Sequence, residues 1–445
     1  MNQDYPRILI LSSSFKDGDA ISILNFFNGW PEESMYCISV VGRENAKHFK
    51  EMYLLGNKEC QPMPPFNLFE RIPTSEIVIA TNFAKSDEKF LYRSSNSLKR
   101  KMYEKVLRPF MQLLDFYDSR IKFHLSDQLA EWIDRVKPDI IYSSVGSLEM
   151  GKLMLAINKR FPSIPFVIHG FDDWITPTSS NLFRSRHIRK AERILKDNLD
   201  IASLHLSTTD KMSLEYNLRY GKSFTAFYNP TTLPKCNVNS SQIEHDVTYV
   251  GKIWLHNSEA IKDFIEALSE YNQKGKKAVL NIYTGTPVHT LADLGIVNSE
   301  CVIIHPSVNN SEVPSILSTS GALLLPISIN KAAAAFAKYS MSTKMGEYMA
   351  SKRPVIYYGP ENIAMTELIR KEKTAFCVTN RKTKVLAKII ETALDHTEDC
   401  KQMIDNAFEL AKDKFDKEVV SKRFQTLLLK LVTVFTTDYY SIFYR

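Results

Sequence analysis

Short runs of β-branched and aliphatic residues recur along this chain, each followed by a longer stretch with helical spacing. The runs at 7–12, 140–144 and 166–169 are apolar at consecutive positions rather than at alternate ones. A strand with one wet face alternates, whereas a strand buried on both faces reads this way, as in a parallel sheet with helices on either side. Further strand-like runs lie at 35–41, 77–81, 204–207 and 224–228, with helical stretches at 123–136 and 147–159 among them. Strand–helix–strand alternation of this kind predicts a doubly wound open sheet.

The pattern then begins again. Residues 231–245 are polar and carry Pro234, Asn237 and Asn239, as a linker would. Beyond them come strand-like runs at 246–250, 278–283, 302–305, 322–326, 354–358 and 375–378. Helical stretches at 258–273, 312–318, 343–351, 362–371, 383–396 and 397–415 separate these runs. A length of 445 residues exceeds what one core usually supports, roughly 250–300 residues, so two α/β domains are expected. The boundaries read as 1–230 for a first Rossmann-like domain, 246–416 for a second, and 417–445 for a closing helix and aromatic tail. In that last segment Val420, Phe424, Leu427, Leu428 and Leu431 fall at helical spacing and predict packing against the domain body.

Composition narrows the class. Hydrophobic residues make up 44% and charged residues 24%, and 25 Phe and 20 Tyr exclude a disordered chain. The net charge of +7 is a mild excess that favours anionic partners and falls short of a nucleic-acid binder. Six scattered cysteines have no metal-ligand spacing and read as reduced thiols of a cytosolic protein. No window approaches the ~18 apolar residues of a membrane span, and the opening residues do not read as a signal peptide.

Parallel sheets bind ligands beyond the carboxyl ends of their strands, so the residues just past each strand are the candidates. The first run leads into a loop containing Gly18, suited to an anion or a plain strand–helix turn. The run at 166–169 ends in His169-Gly170-Phe171-Asp172-Asp173, where the imidazole can donate to a hydroxyl or phosphate or serve the structure. After 246–250, Gly251 permits close backbone approach and Lys252 can neutralise a diphosphate. The densest stretch is 340–359. There Ser342 or Thr343 is expected to cap a helix, Lys344 adds charge at its start, and Glu347 can accept two hydrogen bonds from vicinal ribose hydroxyls. Gly346 lowers helix propensity, which implies close packing or ligand approach there.

On these residues the chain resembles the nucleotide-sugar glycosyltransferases of the GT-B fold, in particular the retaining group called family 4 or group 1. The resemblance rests on Lys344, Glu347, Tyr348, Met349 and Ala350 followed by Pro354, Val355 and Ile356. It also rests on Tyr249-Val250-Gly251-Lys252, Ile282-Tyr283-Thr284-Gly285 and Leu323-Leu324-Leu325-Pro326. It covers roughly 246–380 well and the first domain loosely. It implies two Rossmann-like domains facing across a cleft, with the C-terminal helix packing back towards the first. It implies Glu347 on the donor ribose, Lys252 and Lys344 on the diphosphate with Gly251 and Thr343 beside it, His169 as a cleft histidine, and Gly18 near the donor phosphates. Many relatives carry a glutamate eight positions before the one matched by Glu347, and here that position is Tyr339. Ser340-Met341-Ser342 replace the usual Gly-Phe-Gly, so the resemblance does not fix the contacts to the donor sugar. Only His256 stands near the place of a second basic residue.

The expected activity is sugar transfer from a nucleotide-diphosphate sugar to a glycan or lipid-linked acceptor in surface polysaccharide assembly, without a metal or cofactor. A nucleotide-sugar epimerase and a non-catalytic nucleotide-sugar or glycan-binding scaffold are the alternatives on the same architecture. Segments 89–108 and 184–196 are rich in Lys and Arg. They read as solvated helix faces or as contacts to anionic lipid at the inner face of the membrane, for an otherwise cytoplasmic enzyme.

Overall fold

The computed structural model describes residues 5–15, 17–64, 67, 72–79, 121–144, 146–175, 184–233, 243–395 and 397–443. The chain divides into two compact units. One comprises Met1–Phe227 with Lys422–Arg445, the other Tyr228–Ser421.

The first unit holds an eight-stranded sheet. Its strands are β1 (Ile8–Ser12), β2 (Met35–Ser39), β3 (Glu51–Leu54), β5 (Glu76–Ile79), β7 (Ile140–Ser143), β8 (Phe166–Gly170), β9 (Ala202–Ser207) and β10 (Phe224–Ala226). Their order is β10-β9-β8-β7-β1-β2-β3-β5. Every pair is parallel except the edge pair β3·β5. β1, β2 and β7 are buried at every position, as their unbroken apolar runs require. From β1 the chain runs outward one way through β2 and β3, then crosses to β7 and runs the other way. The strand order therefore reverses between β1 and β7. A small antiparallel pair, β4 (Cys60–Pro62) with β6 (Ile121–Phe123), lies outside this sheet.

Strand β6 corrects the expected helix at 123–136. Phe123 pairs with Cys60 instead, and the helix is Asp127–Val136, started by Ser126, whose side chain accepts from the Leu129 N–H. β3 was not anticipated, because its sequence, Glu-Met-Tyr-Leu, carries a charge. The Glu51 carboxylate is matched from the helix by both guanidinium nitrogens of Arg135 and by the indole N–H of Trp132. These donors hold it below the usual carboxylate range.

The second unit holds a six-stranded, all-parallel sheet. Its strands are β11 (Val247–Val250), β12 (Leu280–Thr284), β13 (Val302–Pro306), β14 (Ala322–Pro326), β15 (Val355–Tyr358) and β16 (Phe376–Val378), in the order β13-β12-β11-β14-β15-β16. The order reverses between β11 and β14. Helices Ser258–Asn272 and Thr383–Asp395 pack together over the sheet, burying Phe264, Leu268 and Tyr271 with Leu386 and Ile390. Part of the expected linker belongs to this unit: Thr231 bridges to Asp416, and the Glu244 N–H donates to the Thr319 carbonyl.

The last helix, Lys417–Phe443, starts in the second unit and enters the first from Lys422. There the ring of Phe424 sits in an aromatic cluster with Phe26, Phe27, Tyr142, His169 and Phe227, with centroids 5.0–6.3 Å apart. The Gln425 amide donates to the carbonyls of Phe26 and Asn28. No helix among the described residues is long and apolar enough to cross a membrane.

Candidate functional site

In the second unit, the residues singled out from sequence converge at the reversal between β11 and β14. β11 ends at Val250 and the chain turns at Gly251, whose φ of 141° an L side chain rarely adopts. A Cβ there would stand 2.1 Å from Cε of Lys344 and 2.8 Å from its Nζ, so the end of that flexible side chain would have to move aside. The Lys344 stem thus lies across the Gly251 backbone, with its ammonium 5.6 Å from the Tyr249 ring centroid. Burial pulls the Lys344 pKa down, and the charge of Glu347 partly opposes this. No ion pair joins Lys344 to a described carboxylate.

Glu347 follows on the short helix Lys344–Ala350. Burial pushes its carboxyl up, with Lys344 and the Thr231 hydroxyl acting the other way. Thr231 donates to Oε1 over a long 3.5 Å. One turn of helix therefore carries a cation and a carboxylate, both half-buried and, among the described residues, both sparsely bonded.

The helix is placed by its other residues. Met345, Tyr348 and Met349 are buried, and the Tyr348 hydroxyl accepts from the Val250 N–H at 2.9 Å, which ties the helix to β11. Gly346 fits against Thr231 and Phe415, where a Cβ would come within 2.9 Å of either side chain. Close packing, not helix propensity, accounts for that glycine. The expected cap is absent. Thr343 has helical φ and ψ of −58° and −27° and makes no side-chain cap bond, whereas a capping residue is normally extended.

The loop after Gly251 is pinned from several sides. The Tyr249 hydroxyl donates to the Lys252 carbonyl, and the Asn257 amide donates to both that carbonyl and the Tyr249 oxygen. The Ile253 N–H donates to Thr286, and the Ser328 N–H to the His256 carbonyl. Lys252 itself is exposed. His256 is stacked on Phe336 at 4.5 Å with planes 3° apart, and burial lowers its pKa, so it does not serve as a second fixed cation.

Two features escaped the sequence reading. Tyr283 and His305, near the carboxyl ends of β12 and β13, stack at 4.3 Å with planes 11° apart. Trp254, 49% exposed, stands edge-on to Phe336 and His256. Register brings the first pair together, Tyr283 opposite His305, and register is not visible in either strand alone. Tyr339, at the position where relatives carry glutamate, is buried.

The remaining candidates belong to the first unit. Gly18 lies in the first turn of helix Asp17–Phe26. His169 is fully buried among Phe26, Phe171 and Phe424, with Nδ1 2.8 Å from the Tyr142 hydroxyl. Its Nε2 has no well-formed hydrogen bond. Burial drives the imidazole down to about 3, partly offset by the nearby Ser207 backbone. It is a neutral core group near the end of β8. Segment 89–108 lies outside the described residues. In helix Arg184–Ile201, Arg186, Arg189, Arg193 and Lys196 are exposed at spacings of one helical face, while Ala191, Leu195 and Leu199 are buried. Among the described residues no group of three or more His, Cys, Asp or Glu side chains is placed to hold a metal ion.

Residues 244–396 match the family described as Glycosyl transferases group 1. No curated protein matches the sequence. The structure is similar to that of HepE from Anabaena in complex with UDP-glucose, at 13% identity and a TM-score of 0.60 over 96% of this chain and 100% of that one. It is similar to a glycosyltransferase from Rickettsia africae ESF-5, at 12% identity and 0.59 over 97% and 99%. Sucrose-phosphate synthase from Thermosynechococcus elongatus matches at 11% identity and 0.58 over 96% and 100%. At these identities the likeness is one of fold: both units are those of the GT-B architecture.

Proposed function

We propose, taking residues 244–396 as the group 1 glycosyl transferase domain their sequence matches, that this protein transfers a sugar from a nucleoside diphosphate sugar to a glycan or lipid-linked acceptor. One observation carries the reading. The half-buried Lys344 side chain is laid across Gly251 with no described carboxylate ion-paired to it, one helical turn from a half-satisfied Glu347. A partly desolvated cation without a counterion is disfavoured, and a bound diphosphate supplies the missing charge. As the glycosidic bond loosens, charge grows on the leaving phosphate. Lys344 and the exposed Lys252 then stabilise the transition state more than the bound donor. Glu347 accepts hydrogen bonds from the ribose hydroxyls.

UDP-glucose, the ligand in the HepE complex, is the first donor to try. A ligand that binds only the folded state raises the melting temperature, and the wild type should show this rise. Lys344→Met and Glu347→Gln should each weaken donor binding at least tenfold, and release of UDP from the donor should fall with them. Variants that bind and turn over donor like the wild type would overturn the assignment. An altered sugar nucleotide without UDP release would mean epimerisation, and binding without any turnover would mean a scaffold.

The basic face of helix Arg184–Ile201 supports peripheral attachment of such an enzyme to anionic lipid. Sedimentation with vesicles containing phosphatidylglycerol should decline as salt rises, and decline further when Arg186, Arg189, Arg193 and Lys196 are changed to Gln. No binding at low salt sinks this part of the proposal.

A further inference from the structure

The first unit has its own cavity at the point where its strand order reverses. It has a volume of about 340 Å³ and is reached by Ser13, just past β1, and by Gly146 and Ser147, just past β7. Crevices at such reversals are where open parallel sheets take ligands, and this volume lies at the lower end of the range of small-molecule sites. Nothing in the donor chemistry above uses it.

The walls decide what the cavity accepts. Val40 and Leu55, just past β2 and β3, line one part, and Leu148 at the start of helix Leu148–Arg160 another. In β6, Ile121 and Phe123 line the cavity while Lys122 between them is exposed, so the small β4·β6 sheet turns its apolar face inward. Trp174 and the buried Cys60 add to this surface, and the buried His187, already engaged within the protein, also lines the cavity.

The polar groups of the lining are largely spent within the protein. Glu149 is buried, with one oxygen bonded by the Lys152 ammonium and the other accepting from the Phe123 N–H. Ser147 caps its helix by accepting from the Met150 N–H. A sugar ring in this cavity would leave most of its hydroxyls without partners, which is costly, whereas an apolar group loses nothing. The open positions, Ser13 and the exposed backbone at Gly146, lie at the strand ends.

We infer that this cavity binds the apolar portion of an amphiphilic ligand, an alkyl or prenyl segment or an aromatic ring, with the ligand's polar end at Ser13 and Gly146. Calling that ligand the acceptor rests on the sugar-transfer reading. The preference for an apolar group does not.

Gly146 offers a clean test. Its φ is outside the left-handed region, and a Cβ there would meet no atom within 4 Å, so Gly146→Phe can enter the space without a backbone clash. The full-length protein is titrated calorimetrically with methyl, phenyl and octyl β-D-glucoside, the last below its micellar concentration. Phenyl or octyl glucoside is expected to bind at least tenfold more tightly than methyl glucoside, and Gly146→Phe to remove that advantage. Preference for octyl assigns the cavity to a chain-bearing ligand, preference for phenyl to an aromatic one. Circular dichroism and melting establish that the variant is folded; if it is not, Val40→Trp, at a half-buried lining position, replaces it. Equal affinity for the three glucosides, or a folded variant that keeps the apolar preference, overturns the inference. UDP-glucose titrated separately judges the donor site. A protein that binds octyl glucoside and ignores UDP-glucose and a panel of other nucleoside diphosphate sugars keeps the cavity and loses the sugar-transfer reading.

Discussion

At the scale of single residues, Lys344 and Glu347 show a site that is costly to keep empty. Each is desolvated, and the two partly compensate each other. The linkage runs in a definite direction. The Glu347 carboxyl in the folded protein lies above its ordinary value of 4.5, so the native state holds this proton more tightly than the unfolded chain. The stability it contributes is fully present below 4.5 and is lost as the pH rises through the folded value. Lys344, lowered from 10.5, likewise penalises the folded state at every pH below its folded value. Urea unfolding of the wild type and Glu347→Gln across pH 4.5–7.5, a window set by the ordinary carboxyl value, should show the variant gaining relative stability as pH rises. A difference that stays flat across this window would mean that Glu347 titrates as a surface carboxylate.

At the scale of elements, the strands buried on both faces were legible because their apolar runs are unbroken, and β14 falls where the spacing puts it, at Ala322–Pro326. Helix starts were legible where an extended Ser does the capping, as at Ser147. Legibility failed where long-range partners decide. β3 is a strand because Arg135 and Trp132 neutralise Glu51 from a helix more than eighty residues away in sequence. β6 is a strand because Phe123 finds Cys60. The helix Lys344–Ala350 was readable from its motif, but its start was not, since a helical Thr343 cannot cap and the helix is held through Tyr348 and Gly346 instead. His169 was placed correctly at the end of a strand. Which face of that strand is covered, and by what, depends on Phe424, which lies 255 positions further on (169 to 424).

At the scale of the whole molecule, the chain leaves the first unit at Phe227 and returns to it at Lys422. The returning segment completes a core that the first 227 residues leave open. Phe424 is fully buried, and its ring meets those of Phe26, Phe27 and Tyr142 at 5.0–5.8 Å. Truncating such a side chain removes its transfer free energy and leaves a cavity that neighbouring rings fill poorly. Phe424→Ala should therefore destabilise the first unit by about 3–5 kcal/mol. The cost should also be local, because stability is distributed in cooperative units rather than evenly. Hydrogen exchange should speed up at the amides of β1, β7 and β8, while those of β11, β14 and β15 keep their protection. If β11–β15 lose protection equally, the two units unfold as one, and the division of the core at Lys422 has no thermodynamic counterpart. If neither set changes, the C-terminal helix is a surface attachment, and the burial of His169 needs no help from it.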